Sequence, residues 1–161
     1  MGNKSIMSRS DIPYSVRLQI KQAKEAERAE RISLYCMALS LHANGVDSQG
    51  VSDFLRTCRN RRSEFHEDAD VSLWQCSERL AAIGVDASKD WWNAPGVNKK
   101  ALRASQAALI MGAVIMDDLF ELTAEQQEEV ARKTQGIAAG PVTETSLRTR
   151  LRVIGVDAVY E

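Results

Sequence analysis

The residues that could carry out metal or nucleophilic chemistry are few and widely spaced in this chain of 161 residues. They are two histidines and three cysteines: His42, His66, Cys36, Cys58 and Cys76. None of them has the Cys-x2–4-Cys or His-x3–5-His spacing that lets neighbouring side chains share one zinc ion. The sequence therefore predicts no metal site and no bound cofactor.

Acid–base and nucleophilic catalysis have an equally weak basis in the sequence. The adjacent carboxylates Asp117–Asp118 and Glu128–Glu129 would point about 100° apart on a helix, so neither doublet forms a facing acid–base pair. Cys36 and Cys58 fall on apolar faces, where we expect buried, unreactive thiols. Glycine-rich phosphate loops and the Gly-x-Ser-x-Gly and His-Glu-x-x-His motifs do not occur. We therefore expect a non-enzymatic protein.

A stretch near residue 45 resembles a helix-turn-helix DNA-binding motif, with Gly45 as the turn glycine and Val51 as a core residue of the second helix. The motif would place polar and basic residues of the 49–62 helix against the groove and the phosphates. These nucleic-acid-binding candidates are Ser48, Gln49, Ser52, Arg56, Arg59, Arg61 and Arg62. The resemblance is incomplete, because Leu41 stands where the motif requires Ala or Gly. The alternative is that the arginines form a solvated face answering the acidic segment 64–70.

Two further features indicate a protein-binding surface. Trp91 and Trp92 are adjacent in a connector, and Trp is enriched at interface hot spots, although such a pair also serves as a plug over the end of a helical core. The segment 21–31 has only alanine on its apolar stripe and carries the cations Lys21, Lys24 and Arg28. Such a helix suits docking into a partner's groove or self-association. These residues are the predicted contacts to a protein partner, and the N-terminal helix is also a candidate for homo-oligomer formation.

The element that must hold these surfaces together is a buried helix around residues 107–116. This run, Ala-Ala-Leu-Ile-Met-Gly-Ala-Val-Ile-Met, contains no charged or strongly polar side chain and is too short to cross a bilayer. Apolar residues continue at helical spacing on both sides of the run. The pattern predicts a buried central helix over about 99–122.

The remaining elements complete an all-α domain. A long N-terminal helix is predicted to begin at an Asp11 cap, with Pro13 in its first turn, and to extend to Asn44. No segment shows the alternation of a strand. We predict a disordered segment 1–9, followed by a single all-α domain 10–161 built as a compact bundle of about six helices.

Helix ends are marked by a repeated signal. Gly-Val-Asp follows an apolar turn at residues 45–47, 84–86 and 155–157. We interpret each as the same helix-ending device, in which Gly adopts a left-handed conformation and Val folds back onto the last turn. The first two copies end a longer internal repeat, because residues 32–47 match residues 71–86 at an offset of 39 without a gap.

Two shorter helices are predicted after the central one. Thr123 and Gln126 match a capping box, which starts a helix that we expect to stop at Gly136. A final helix is predicted over about 144–154.

Charge is distributed unevenly, although the formal net charge is only −1. Residues 1–62 contain eleven Lys/Arg and six Asp/Glu, whereas residues 63–98 contain two and seven. We expect these two segments to face each other within the fold, the alternative being a basic surface for an anionic partner. The central helix carries Lys99 at its start and Asp117 and Asp118 at its end. These charges oppose the helix dipole, so we expect neighbouring helices to pair with them.

The composition favours a cytoplasmic protein. An odd count of three cysteines, without a disulfide-scaffold composition, predicts reduced thiols. The opening Met-Gly-Asn-Lys-Ser-Ile lacks the apolar core of a secretory signal, and no run is long enough to span a membrane. We therefore expect no membrane partner.

The opening sequence Met-Ser-Arg-Ser-Asp-Ile-Pro-Tyr-Ser-Val-Arg-Leu-Gln-Ile-Lys, from residue 7, resembles that of small helical accessory proteins in prophages of Gram-positive bacteria. The charged helix followed by Arg-Arg-Ser-Glu-Phe and an acidic turn is similar as well. The resemblance covers roughly residues 7–86. It implies a phage or mobile-element protein that binds and modulates a host protein effector, as anti-CRISPR and other anti-defence inhibitors do. It implies no catalytic residue.

Overall fold

Six helices make up most of the part of the chain that the computed structural model describes, namely residues 12–66, 69–86 and 99–157. These residues contain no β-strand, so the predicted all-α class and the six-helix count are confirmed within this part of the chain. The predicted disordered segment 1–9 lies outside it. The helices are α1 (Tyr14–Ala43), α2 (Ser48–His66), α3 (Ala69–Ala82), α4 (Lys99–Leu119), α5 (Ala124–Ala138) and α6 (Glu144–Val153).

The predicted central helix is α4. Every residue from 108 to 116 is buried, and α4 contacts α1, α2, α3 and α5. The helix ends at Leu119 rather than near residue 122, and both Phe120 and Leu122 then pack against the core from the connection to α5. Within the described chain no helix is long and apolar enough to cross a membrane.

A second buried helix accompanies α4, which corrects the prediction of a single central helix. Residues 33–41 of α1 are all buried, and α1 contacts α2, α4, α5 and α6. Serines within this stretch lower its hydropathy, so a hydropathy pattern does not reveal that the stretch is buried. Their hydroxyls are satisfied locally, because Ser33 donates to the carbonyl of Ala29 and Ser40 donates to the carbonyl of Cys36. A buried hydroxyl that is hydrogen-bonded in this way carries little penalty.

The two buried helices run in the same direction and approach closely at Gly112. Ala23 of α1 and Lys100 of α4 border one groove, whereas Leu34 and Met37 meet Gly112 about three to four turns further along both helices. A Cβ atom at residue 112 would lie 2.6 Å from the sulfur of Met37. Glycine is therefore required at residue 112 because a side chain would not fit between the helices. The backbone conformation does not require it.

The three Gly-Val-Asp helix ends are confirmed. Gly45, Gly84 and Gly155 have φ values of 98°, 87° and 86°, the left-handed region that glycine adopts without strain. After each glycine, the valine amide donates to the carbonyl five residues earlier. The three N–O distances are 3.0, 2.8 and 2.9 Å for Val46–Leu41, Val85–Leu80 and Val156–Leu151. This is the backbone bond of a Schellman motif.

Two further helix boundaries, at the start of α1 and the end of α5, differ from the prediction, whereas the start of α5 agrees. The N-cap position of α1 is Pro13, with no side-chain hydrogen bond, so proline precedes the first turn, and the predicted cap Asp11 lies outside the described residues. Helix α5 continues through Gly136 to Ala138, because glycine lowers helix propensity without ending a helix by itself. The predicted capping box of α5 is present, with reciprocal bonds between Thr123 and Gln126 of 2.9 and 3.1 Å.

Alanine substitution at two glycines is expected to change stability in opposite directions. At Gly45 alanine has open space but inherits φ = 98°, so Gly45→Ala should lower the free energy of unfolding by about 1 kcal/mol. At Gly136, within α5 and also in open space, alanine should raise it by roughly 0.5–1 kcal/mol. Urea denaturation followed by circular dichroism measures both. Changes of the same sign would contradict this account of the turn.

Candidate functional site

The most exposed part of the described bundle is the first half of α1, which we call the α1 arm (residues 14–28). Residues 13–21 are all exposed, and burial begins only with Ala26 and Glu30. Helix α4 begins level with Ala23, so among the described elements it leaves the preceding turns of α1 uncovered. The buried half of α1 thus anchors an extended helical surface.

A row of four cations follows the α1 arm. Arg17, Lys21, Lys24 and Arg28 are spaced by four, three and four residues, which places them on one face over about 16 Å. All four side chains are exposed, and none of them forms a salt bridge within the described chain. Arg17 lies over the ring of Tyr14, with 5.9 Å between the guanidinium carbon and the ring centroid. The structure therefore brings together the predicted contacts Lys21, Lys24 and Arg28 and extends the row to Arg17.

Exposed apolar side chains border this cationic row on both sides. At 100° per residue, Tyr14 and Leu18 fall on one side of the row, and Val16 and Ile20 on the other. All four are exposed. Tyr14 and Leu18 are not among the contacts predicted from the sequence, because only Val16 and Ile20 lie on the apolar stripe of α1 that continues into the core. A row of cations between apolar margins suits an acidic groove with apolar walls.

The arginines of α2 divide between the interior of the fold and its surface. Arg62 makes a two-pronged contact with the buried carboxylate of Glu30, with N–O distances of 3.0 to 3.2 Å. Arg61 binds Asp118 at 2.7 Å and Glu64 at 3.3 Å. The sequence offered pairing with the acidic segment 64–70 as the alternative role of these arginines. That segment accounts for one contact, the one between Arg61 and Glu64. The other contacts are to α1 and α4, which are distant in sequence.

The remaining helix-turn-helix candidates lie on the outer face of α2. Gln49, Ser52, Arg56 and Arg59 recur at helical spacing, and the last three border a shallow cleft together with Asp157. Two of the outward residues bind Asp53, because Gln49 donates to it at 3.0 Å and Arg56 pairs with it at 3.0 Å. Arg59 is exposed and forms no ion pair in the described chain. This face therefore presents less free positive charge than the four arginines suggest.

Ser48 faces inward instead of toward a groove. Its hydroxyl donates to the carbonyl of Ile154, at the end of α6, and so ties the start of α2 to the helix end at Gly155. The structure thus removes Ser48 from the predicted nucleic-acid contacts, because its donor is used within the fold.

The predicted tryptophan contacts Trp91 and Trp92 lie outside the described residues. The structure instead exposes Trp74, on α3, with 65% of its surface accessible. Trp74 is not among the contacts predicted from the sequence, which aligns it with Tyr35; Tyr35 is completely buried in the structure. Trp74 borders a shallow cleft between α3 and α4, which we call the Trp74 cleft. It is lined in part by Leu73, Trp74, Glu78, Gly84, Asp86 and Ile110.

The cysteines are buried, as predicted for Cys36 and Cys58, and Cys76 is buried as well. Burial raises the pKa of the Cys36 thiol to about 12 and shifts the pKa of the other two in the same direction. A thiol with a raised pKa is a poor nucleophile at neutral pH. The ring of His42 contacts the carbonyl of Val46 at 3.1 Å. The described residues contain no group of three or more His, Cys, Asp or Glu side chains arranged to hold a metal ion.

The acidic end of α4 finds partners on neighbouring helices. Arg79 of α3 bridges Asp117 and Asp118, and Arg61 of α2 adds the second contact to Asp118. Gln127 of α5 donates to Asp117 at 3.0 Å. The expectation that neighbouring helices compensate these charges is therefore met at this end, where the pairs join four helices.

Comparisons with protein-family models, with curated protein sequences and with solved structures found no match to this chain.

Removing Arg62 is expected to destabilise the fold, because the carboxylate of Glu30 is 4% exposed and would lose its bidentate partner. Since the Arg62 side chain is partly exposed, water can replace some of the contact, and the expected loss for Arg62→Ala is about 1–3 kcal/mol. Urea denaturation measures it. The matched control is Arg59→Ala on the same helix, which should change stability by less than about 0.5 kcal/mol. Equal effects would show that the Glu30 contact contributes nothing.

Acidification is expected to weaken the ion pairs of Asp118. The hydrogen bond from Arg79 is the largest cause, and together with the contacts from Arg61 it outweighs burial and holds the pKa of Asp118 below its usual value. This stabilisation is complete above the unfolded-state pKa of about 3.9 and is lost as the pH falls toward the lower folded-state value. The urea midpoint should therefore fall between about pH 6 and pH 3, and fall less in Asp118→Asn.

The control for this titration is Glu121→Gln, a substitution at an exposed carboxylate just beyond the end of α4. It should retain the full acid sensitivity of the unmodified protein. If Asp118→Asn lost stability as steeply as the control, the stabilising role of the Asp118 pairs would be refuted.

Proposed function

We propose that this protein is a non-enzymatic binding protein that recognises another protein through the α1 arm. The observation that carries the proposal is the row of Arg17, Lys21, Lys24 and Arg28, which is exposed and forms no ion pair within the described chain. Anchoring by the buried half of α1 supports the proposal further. A helix held in place at one end loses little conformational freedom when its partner binds.

The chemistry of the arm favours a protein partner over a nucleic acid. A row of cations alone would suit a phosphate backbone, but here exposed apolar side chains border the row on both sides. The exposed side chains of Tyr14 and Leu18 likewise suit apolar pockets. The partner that fits is a protein groove that meets the cationic row with acidic side chains and the apolar margins with apolar walls.

The cellular setting that we propose is that of a mobile-element accessory protein acting in the cytoplasm on a host effector. Its support is the resemblance of residues 7–86 to small prophage proteins of Gram-positive bacteria. Inhibition of a defence system, as by anti-CRISPR proteins, is one such action, and it requires only binding. The three free cysteines fit a reducing compartment.

The alternative proposal is a nucleic-acid-binding regulator that uses the outer face of α2. Gln49, Ser52, Arg56 and Arg59 share this face, and this arrangement is its support. It has fewer uncommitted cations than the arm, since Arg61 and Arg62 are engaged with Asp118 and Glu30.

The test is affinity capture with the tagged full-length chain as bait. The lysate comes from a Gram-positive host and is treated with nuclease. The variant Lys21→Glu/Lys24→Glu inverts the middle of the cationic row and should reduce capture of the specific partner by at least about tenfold, because like charges would then meet. The matched control, Lys99→Glu/Lys100→Glu, makes the same charge change at two exposed lysines at the start of α4 and should leave capture intact.

Two outcomes would overturn the proposal. Equal loss in both variants would mean that the arm has no specific role. Loss of capture after nuclease treatment, together with binding to duplex DNA that weakens about a hundredfold between 50 and 200 mM salt, would favour the nucleic-acid alternative.

A further inference from the structure

The Trp74 cleft presents an uncovered aromatic side chain on the face of a helix that has few neighbours. Trp74 is 65% exposed in the folded chain, although Trp is the side chain that gains most from burial at an interface. Beside it lie Leu73 and Ile110, which add apolar surface to the cleft. An exposed tryptophan next to apolar side chains is typical of a binding site for a protein segment.

The internal repeat shows what kind of element is missing. Tyr35 occupies the equivalent position in the first copy and is completely buried, because α1 is surrounded by α2, α4, α5 and α6. Helix α3, which carries the second copy, contacts α2 and α4 and no other described helix. Among the described elements, this face of the repeat is thus covered by helices in the first copy and not covered by a helix in the second. A helix is therefore the element that fits the open face.

The charge of the cleft indicates which helix could cover it. The exposed Glu78 borders it, and no lysine or arginine is found among its described lining residues. The α1 arm has the opposite pattern, with four exposed cations between apolar margins. The basic segment 1–62 and the acidic segment 63–98, which the sequence predicts to face each other, thus leave complementary charge at these two surfaces.

We propose that the α1 arm of one molecule docks into the Trp74 cleft of a second copy. This inference rests on the proposed function of the arm as the binding element. Docking within one molecule is excluded for the described residues, since α1 and α3 make no contact with each other.

The dimensions and the symmetry of this contact are compatible. The cationic row spans about 16 Å, and the part of α3 that lines the cleft, from Leu73 to Ala81, spans about 12 Å. Tyr14 or Leu18 would then cover Trp74 while Lys21 or Lys24 meets Glu78. If each molecule gives its arm to the other, the two contacts are related by a twofold axis and the assembly closes as a dimer.

Sedimentation velocity of the full chain over a wide concentration range tests this inference. We expect a dimer at low salt that dissociates as salt rises, because exposed ion pairs are screened. Trp74→Ala should weaken dimerisation by at least about tenfold, as truncation of an interface tryptophan does. Val153→Ala is the control: it removes another exposed apolar side chain, on α6, and should leave the dimer unchanged.

A charge exchange tests the pairing of the two surfaces. Glu78→Lys and Lys24→Glu should each weaken the dimer, and the double variant Glu78→Lys/Lys24→Glu should restore it. Failure of this rescue, a monomer at every concentration, or a dimer that is indifferent to Trp74→Ala would overturn the inference.

The result can be separated from that of the lysate experiment. A monomeric protein whose lysate capture still depends on Lys21 and Lys24 would refute self-association and leave the proposed function standing. A Trp74-dependent dimer without arm-dependent capture would support self-association and refute the host partner.

Discussion

The close contact between α1 and α4 at Gly112 is the constraint on which the rest of the structure depends. Because residue 112 has no side chain, Leu34 and Met37 of α1 and Phe54 of α2 can pack against the backbone of α4. Two helices that are buried over nine residues each, 33–41 and 108–116, then form a common core. The other four helices cover this pair, each contacting at least one of its members.

The same contact explains why one helix extends beyond the bundle. α1 has 30 residues and α4 has 21, and the register set at Gly112 places the start of α4 level with Ala23. The turns of α1 before that point gain no cover from α4. The residues found there are cations and scattered apolar side chains, which do not form a core. Stability is therefore assigned to one half of this helix, and the recognition that we propose is assigned to the other.

Ion pairs between helices secure the ends of this arrangement. Arg79 and Arg61 hold the acidic end of α4, and Arg62 holds Glu30 at the point where the buried half of α1 begins. These contacts account for arginines that resemble a nucleic-acid-binding row in the sequence. They use the same side-chain chemistry that a phosphate would use, since a guanidinium binds carboxylate and phosphate with the same geometry.

The sequence by itself determined the helices, the capping box at Thr123 and the three glycine-ended turns, because each of these depends on hydrogen bonds among residues within one or two turns. Only the tertiary structure decided which side chains are free to bind. Tyr35 and Trp74 occupy equivalent positions in the two copies of the internal repeat, yet one is buried and the other exposed. The partners of Arg61 and Arg62 likewise come from helices 57 and 32 residues away in the chain. Burial and pairing over such distances are set by how whole helices pack, and no local pattern records that packing.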